Sequence, residues 1–414
     1  MHTARAVIHQ YRPNFDWREL LELLCPANGR SEFESALAAR VGARFGIAFA
    51  YGRSGIVTAC KALGLTQVEI IVPAFTCGVI PEAVAVSGNR PTFVDIDLTD
   101  YNMDINAIKQ AITPQTRAII ATHMYGYPTD IEAIRAIIGD ERIVIIEDSA
   151  LLGPVAGCSG EAGIHGDIAL YSFGPGKHLY TIQGGILVTN SATLYEKIKA
   201  CRDQDMGRLP WKVWAKRLAR LMTGYMMLNS SILEAWNKVN RAGPMMRVRS
   251  RLGLKHVNMP ADYATAFANF QGRVGLAQLR KFDSIVDKHR AWAEFYTSEL
   301  RDAPGITPAP IIPGATYSLC TIRVKGRDEV SFRRRMLARG IEVGTAFNYV
   351  AADKPSYHSG VKGRFPRAEQ AAREVVNLPN YPGLSKADVQ YIVEASRAVS
   401  KELRSNGALS PTLR

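Results

Sequence analysis

This sequence contains no C-x-x-C pair. Its six cysteines, Cys25, Cys60, Cys77, Cys158, Cys201 and Cys320, are scattered over 414 residues. That spacing excludes a zinc ribbon and gives no disulfide framework, so reduced thiols and no metal site are expected. Also missing is a run of about 18 apolar residues, the least that reads as a membrane-spanning helix. The opening stretch, MHTARAVIHQYRPNF, has no continuous apolar core. No secretory signal is therefore expected, and a cytoplasmic location is. There is no internal repeat and no low-complexity tract. Acids are scarce in one place: residues 206–261 hold eleven Lys or Arg against a single acid, Glu234. The net charge of +13 is thus mostly local. A basic balance can serve nucleic acid, an anionic surface or an anionic substrate. No helix-turn-helix, zinc-finger or RRM signature accompanies it, so nucleic acid is not expected as a partner.

What is present is a long alternation of strand and helix patterns. Strands are predicted at 47–51, 69–73, 92–96, 117–123, 143–146, 168–173 and 185–189. Helical patterns at 56–63, 78–87, 104–112 and 129–138 separate the first five. Alternation of this kind predicts an α/β fold with a largely parallel sheet covered on both faces. Upstream, Ser31 and Glu34 have capping-box spacing, and Phe33, Leu37 and Val41 recur at helical intervals. Downstream, a strand at 321–324, a helix at 329–339 ended by Gly340 and a closing helix at 385–402 repeat the alternation on a smaller scale.

Residues able to do chemistry fall at strand ends. Glu147-Asp148 closes one strand, and Gly174-Pro175-Gly176-Lys177 follows another. In open α/β sheets that edge is where ligands bind. A carboxylate and an amine held there suit a cofactor that needs an amine for its aldehyde and a protonated pyridine nitrogen. Ser54-Gly55 lies where a strand turns into a helix, which suits an anion, although an ordinary N-cap serine reads the same way. His123 ends a strand, where a histidine satisfied by its own protein is the plainer reading.

The order and spacing of Glu147-Asp148, Gly166-Asp167, Tyr171-Ser172-Phe173, Pro175, Lys177, Gly184-Gly185 and Val188-Thr189 resemble the DegT/DnrJ/EryC1/StrS family of sugar aminotransferases, which use pyridoxal phosphate (PLP). Further matches are Pro73-Ala74-Phe75-Thr76, His123-Met124-Tyr125-Gly126, Phe270-Gln271-Gly272, Phe365-Pro366 and Leu378-Pro379. The resemblance runs from roughly residue 30 to 400, with 207–260 outside it. It implies the fold type I architecture, with a large PLP-binding domain over 1–260, a smaller C-terminal α/β domain over 261–414, and a homodimer. It also implies that Lys177 carries PLP as a Schiff base and acts as the catalytic base. Asp148 would hold the pyridine nitrogen, Ser172 and Ser54-Gly55 the phosphate, and His123 would lie near the cofactor. The implied reaction moves an amino group from an amino acid, glutamate in the family, to a keto sugar carried on a nucleotide.

Four positions depart from the family pattern. Ile56 replaces a threonine at the phosphate turn, and Cys77 replaces the aromatic residue over the cofactor ring. Leu151 replaces a polar residue near the ring oxygen. Ala264, with Ala266, replaces an Asn and an Arg that serve the neighbouring subunit. These departures keep open a catalytically weak member with a regulatory or assembly role. A sugar dehydratase, in which His replaces the lysine, is a further alternative that Lys177 opposes. In the basic segment 207–260, Trp214, Leu218, Leu221, Met222 and Tyr225 form one helical stripe, and Lys212, Lys216 and Arg220 another. This fits a helix packed on its own protein or a partner copy. It also fits peripheral contact with an anionic membrane surface.

Overall fold

The computed structural model describes residues 7–25, 28–155, 164–226, 259–326, 329–353 and 363–407. Seven strands form the main sheet: β1 Phe45–Phe49, β2 Glu69–Pro73, β3 Arg90–Val94, β4 Thr116–Thr122, β5 Val144–Asp148, β6 Ile168–Ser172 and β7 Gly185–Thr189. Their order is β1-β7-β6-β5-β4-β2-β3. Helices Gly52–Ala62, Val79–Val86, Ile105–Ala111 and Ile131–Ile138 connect the first five strands, and crossovers of that kind are what parallel pairing requires. Between β6 and β7 there is no crossover helix, so β7 runs antiparallel to both β6 and β1. The expected parallel α/β sheet therefore carries one reversed strand.

The alternation of each strand divides the apolar residues between two layers. Ile70, Val72, Ile120 and Ile146 bury into one core. Ile71, Ile119 and Ile145 bury into another, against Ile131, Ile134 and Ile138 of one crossover helix. A second sheet of three antiparallel strands, β8 Ile306–Thr307, β9 Cys320–Val324 and β10 Val375–Leu378, has the order β10-β9-β8. Helices Phe282–Leu300, Glu329–Ala338 and Lys386–Gly407 flank it in the chain.

Just beyond the expected division at 260, the chain returns to the large sheet. Helix Asn269–Arg280 lies on helix Gly29–Arg40, so closely that a Cβ on Gly272 would sit 2.1 Å from the carbonyl oxygen of Gly29. This stretch packs with the large sheet, through Phe267 and Leu276 against Phe173 and Ile186. The expected capping box also does not form. The helix starts earlier, with Asn28 as N-cap at φ 46°. Ser31 Oγ donates to the Asn28 carbonyl at 3.0 Å, and Glu34 instead accepts from Ala48 N at 2.7 Å and Arg202 at 3.0 Å.

Of the basic segment, helix Trp211–Met226 is described, and 227–258 lies outside the described residues. Its apolar stripe packs on the protein itself: Leu218, Leu221, Met222 and Tyr225 join Phe15, Ile182 and Val274. Tyr225 stacks on Phe15 with centroids 4.7 Å apart, and Trp214 meets Phe270 edge-on at 5.9 Å. Lys212 and Lys216 stay exposed. No helix among the described residues is long and apolar enough to cross a membrane.

Candidate active site

A cavity of about 380 Å³ opens at the carboxyl ends of the central strands, with Thr122 from β4, Asp148 from β5 and Ser172 from β6 on its wall. Strand alternation puts them there. Asp148 shares its face with Ile146 and Thr122 with Ile120, while Glu147 and His123 point to the opposite face. Lys177 reaches the same cavity from the loop after β6, where Gly176 adopts φ +77° and so lets the chain turn.

Asp148 is 3 % exposed. Its Oδ1 accepts from Ala150 N at 3.1 Å, and its backbone carbonyl from His123 N at 3.1 Å. Burial pushes its carboxyl above the ordinary aspartate value, and the nearby Lys177 amine opposes the rise. A cationic ring nitrogen beside it would favour the carboxylate further. Burial pulls the Lys177 amine below the ordinary lysine value, against the pull of Cys77 and Asp148. A less basic amine has more of the neutral form that attacks a carbonyl carbon.

The helix after β1 starts ahead of the expected Ser54-Gly55 turn. The helix begins at Gly52, with Tyr51 as an N-cap that makes no side-chain cap bond. Ser54 and Gly55 lie within the first turn, and both amides donate to the Tyr51 carbonyl. Ser54 Oγ donates to the Tyr263 carbonyl at 2.8 Å, and Gly55 is buried, where a Cβ would meet the Leu187 side chain at 3.0 Å. Gly52 and Arg53 are the helix residues that line the cavity. The opening amides of a helix have no intrahelical acceptor and attract anions. They lie this close to the sheet because β7 offers no side chain: a Cβ on Gly185 would fall 2.5 Å from the Cα of Gly52.

His123 likewise lies away from this cavity. Its Nδ1 accepts from Thr129 N at 2.9 Å, so Nε2 carries the proton and donates to Glu147 Oε2 at 3.2 Å. Together with Glu147 it lines a separate cavity behind the sheet. Its one hydrogen bond to Asp148 is through the backbone. Of the departures, Cys77 and Leu151 do line the main cavity. Ile56 is fully buried in the core, and the Ala264 carbonyl accepts from Gly207 N at 3.0 Å.

Several wall residues carry no signal in the sequence reading. Phe347 comes from the small C-terminal unit, at φ +65° and 6.0 Å from the Tyr125 ring. Gln183 precedes β7, and Arg220 comes from helix Trp211–Met226, in the basic stripe for which both self-packing and membrane contact were left open. His178, next to Lys177, turns away: its Nε2 lies 3.2 Å from the Thr316 carbonyl and its ring 4.6 Å from that of His289.

These residues fit PLP. A buried carboxylate, an amine with lowered basicity, a serine and the start of a helix share one cavity, and the Gly52–Gly185 approach makes room at the helix end. Among the described residues no group of His, Cys, Asp and Glu could hold a metal ion.

The chain is similar to known proteins in sequence and in fold. A GDP-perosamine synthase of Escherichia coli O157:H7 is 26 % identical over 366 residues, covering 88 % of this chain and 88 % of the relative. A pleiotropic regulatory protein of Geobacillus stearothermophilus is 29 % identical over 374 residues, covering 88 % and 87 %. In structure, a putative sugar aminotransferase of Streptococcus pneumoniae in its PMP form superposes with a TM-score of 0.77 at 18 % identity, over 97 % of this chain and 100 % of that one. That neighbour bears on the fold alone. The pattern of one family spans residues 27–397, and by that match the chain belongs to the DegT/DnrJ/EryC1/StrS aminotransferase family.

Proposed function

We propose that this protein is a PLP-dependent aminotransferase that moves an amino group from an amino acid, glutamate by family analogy, to a keto sugar carried on a nucleotide. The observation that carries the reading is the pairing of Asp148 and Lys177 on one cavity at the carboxyl edge of the sheet. PLP, when bound, supplies an electron sink that makes the donor's α-carbon proton removable. Lys177 would hold the cofactor's aldehyde carbon and would carry that proton, a task its lowered basicity suits. Asp148 keeps a proton on the ring nitrogen by its charge. The Gly52 and Arg53 amides and the Ser172 hydroxyl hold the phosphate. Met124, Leu151 and Phe347 exclude water from the reacting end.

The dehydratase alternative needs a histidine where Lys177 stands, and His178 is packed against Phe282 and His289 instead. A catalytically weak member that binds PLP or a sugar nucleotide in a regulatory or assembly role would keep the same Lys177 and Asp148, and turnover of a keto-sugar acceptor separates the two readings. A homodimer belongs to the proposal as a family expectation. So does peripheral membrane contact, now resting on the edge formed by exposed Trp211, Lys212, Trp214 and Lys216.

The purified protein should be yellow and bleach with a hydride reductant. With glutamate and a panel of nucleotide-linked 3-keto and 4-keto sugars, one acceptor should yield 2-oxoglutarate and the amino sugar in equal amounts. A colourless protein that takes up no PLP overturns the reading. Sedimentation with anionic but not neutral vesicles tests the membrane edge.

A further inference from the structure

We propose that Arg220 closes the phosphate end of the cavity, so that the chain completes this anion cup from its own helix Trp211–Met226. The inference rests on the PLP reading above and names a cofactor-binding residue outside the motif-bearing core.

Consider first what delivers Arg220. Arg217, one turn before it, is 1 % exposed. Its guanidinium donates to the Ala266 carbonyl at 2.9 Å, Thr265 Oγ1 at 2.7 Å and Asp262 Oδ2 at 3.0 Å. A buried arginine held by these three acceptors and by Gln271 Oε1 at 3.4 Å fixes the rotation of the helix. Arg220, one turn on, is exposed to solvent and contributes to the cavity wall.

Arg220 is also short of an acceptor. Among the described residues its one hydrogen bond is to Gln183 Oε1, a neutral oxygen at 3.3 Å, and no described carboxylate pairs with it. Turning the Gln183 amide over places its oxygen on Arg217 at 3.1–3.2 Å and its nitrogen on Tyr51 OH at 3.3 Å. In that orientation Arg220 keeps no acceptor on Gln183. The other arginine on the wall is differently placed, since Arg53 lies 3.5 Å from Glu82.

Position supplies the rest. Gln183 lies between Arg220 and Tyr51, the N-cap of the helix whose opening residues line the cavity. It stands two residues before Gly185, which abuts Gly52 and pairs with Ser172 across β6 and β7. Gly52, Ser172 and Arg220 all line the one cavity. Amides and a hydroxyl donate hydrogen bonds without a full charge, whereas a phosphate monoester carries nearly two negative charges at neutral pH. A guanidinium with no carboxylate partner supplies the missing charge.

The test is a titration of full-length protein, resolved from its cofactor, with PLP and separately with pyridoxal, which lacks the phosphate, followed by visible absorbance. Arg220→Gln should weaken PLP about ten- to hundred-fold, the range for a lost charge-assisted hydrogen bond. Pyridoxal should bind within twofold of wild type, and Arg220→Lys should recover part of the loss. Lys216→Gln, one turn earlier in the same exposed stripe but absent from the cavity wall, should change neither. PLP affinity unchanged in Arg220→Gln overturns the proposal, as does an equal loss for pyridoxal or an equal loss in Lys216→Gln. Wild-type protein that takes up no PLP overturns the cofactor reading as well, a result distinct from wild type and variant binding alike.

Discussion

Gly185 and Gly52 meet backbone to backbone, with no room for a side chain between β7 and the helix that opens the anion site. A methyl group on Gly185 would lie 2.5 Å from the Gly52 Cα and 2.7 Å from its nitrogen, so the helix start would have to retreat. Gly185→Ala should cost about 1–3 kcal/mol, as overpacking does. It should also weaken PLP more than pyridoxal. Thermal melting and the two titrations check this, and an unshifted melt with wild-type PLP affinity would show that the contact is unimportant.

Lys177→Ala should keep the fold and lose transamination by roughly a thousandfold or more, since it removes the attachment point and the proton shuttle together. Reduction of the wild-type holoenzyme with borohydride, followed by peptide mapping, should place the pyridoxyl label on Lys177. A label on another lysine refutes the assignment.

Asp148→Asn should lower kcat far more than it lowers cofactor affinity. The amide cannot hold a proton on the ring nitrogen by charge, while the helix start and Ser172 still hold the phosphate. Its buried site is already polar, with Ala150 N donating at 3.1 Å, so the fold should persist. Near-wild-type turnover would assign the role to another group.

Acid should loosen the joint between the Lys177 loop and the small unit. Burial holds the His289 imidazole down at about 4, and burial also holds His178 well below its ordinary value. Both rings are neutral in the fold and gain protons on unfolding from about pH 6.5 downwards. Their stability is therefore intact above pH 6.5 and lost as pH falls towards 4. For His289 the loss is up to roughly 3 kcal/mol. Urea unfolding at pH 7.5, 6 and 5 should show the decline, and His289→Gln should flatten it. An unchanged slope in the variant would assign the decline to other groups.

The sequence discloses what is local. Asp148, Ser172 and Lys177 sit at strand ends within one stretch, and strand alternation alone assigns Asp148 and Glu147 to opposite faces. The same alternation puts His123 behind the sheet, although its motif suggested otherwise. The helix start was read late because Ser54 looks like a cap, whereas the true N-cap, Tyr51, makes no side-chain cap bond. Phe347 and Arg220 lie far from these motifs in sequence, and only folding brings them to the wall. The apolar stripe of helix Trp211–Met226 was legible; that one of its arginines faces the cavity was not, because periodicity gives a helix its faces but not what each face meets.

The crossing of Gly29 and Gly272 bears on how the molecule comes into being. Helix Gly29–Arg40 leaves the ribosome early, yet the helix that covers it is more than 200 residues downstream. Until that second helix emerges, Phe33 and Leu37 lack the part of their cover that Phe267 and Leu276 supply. Contacts of such long sequence separation are made late and slow the rate of folding. A nascent chain cut short before residue 280 therefore offers an apolar surface that the finished protein hides, the kind of surface chaperones hold.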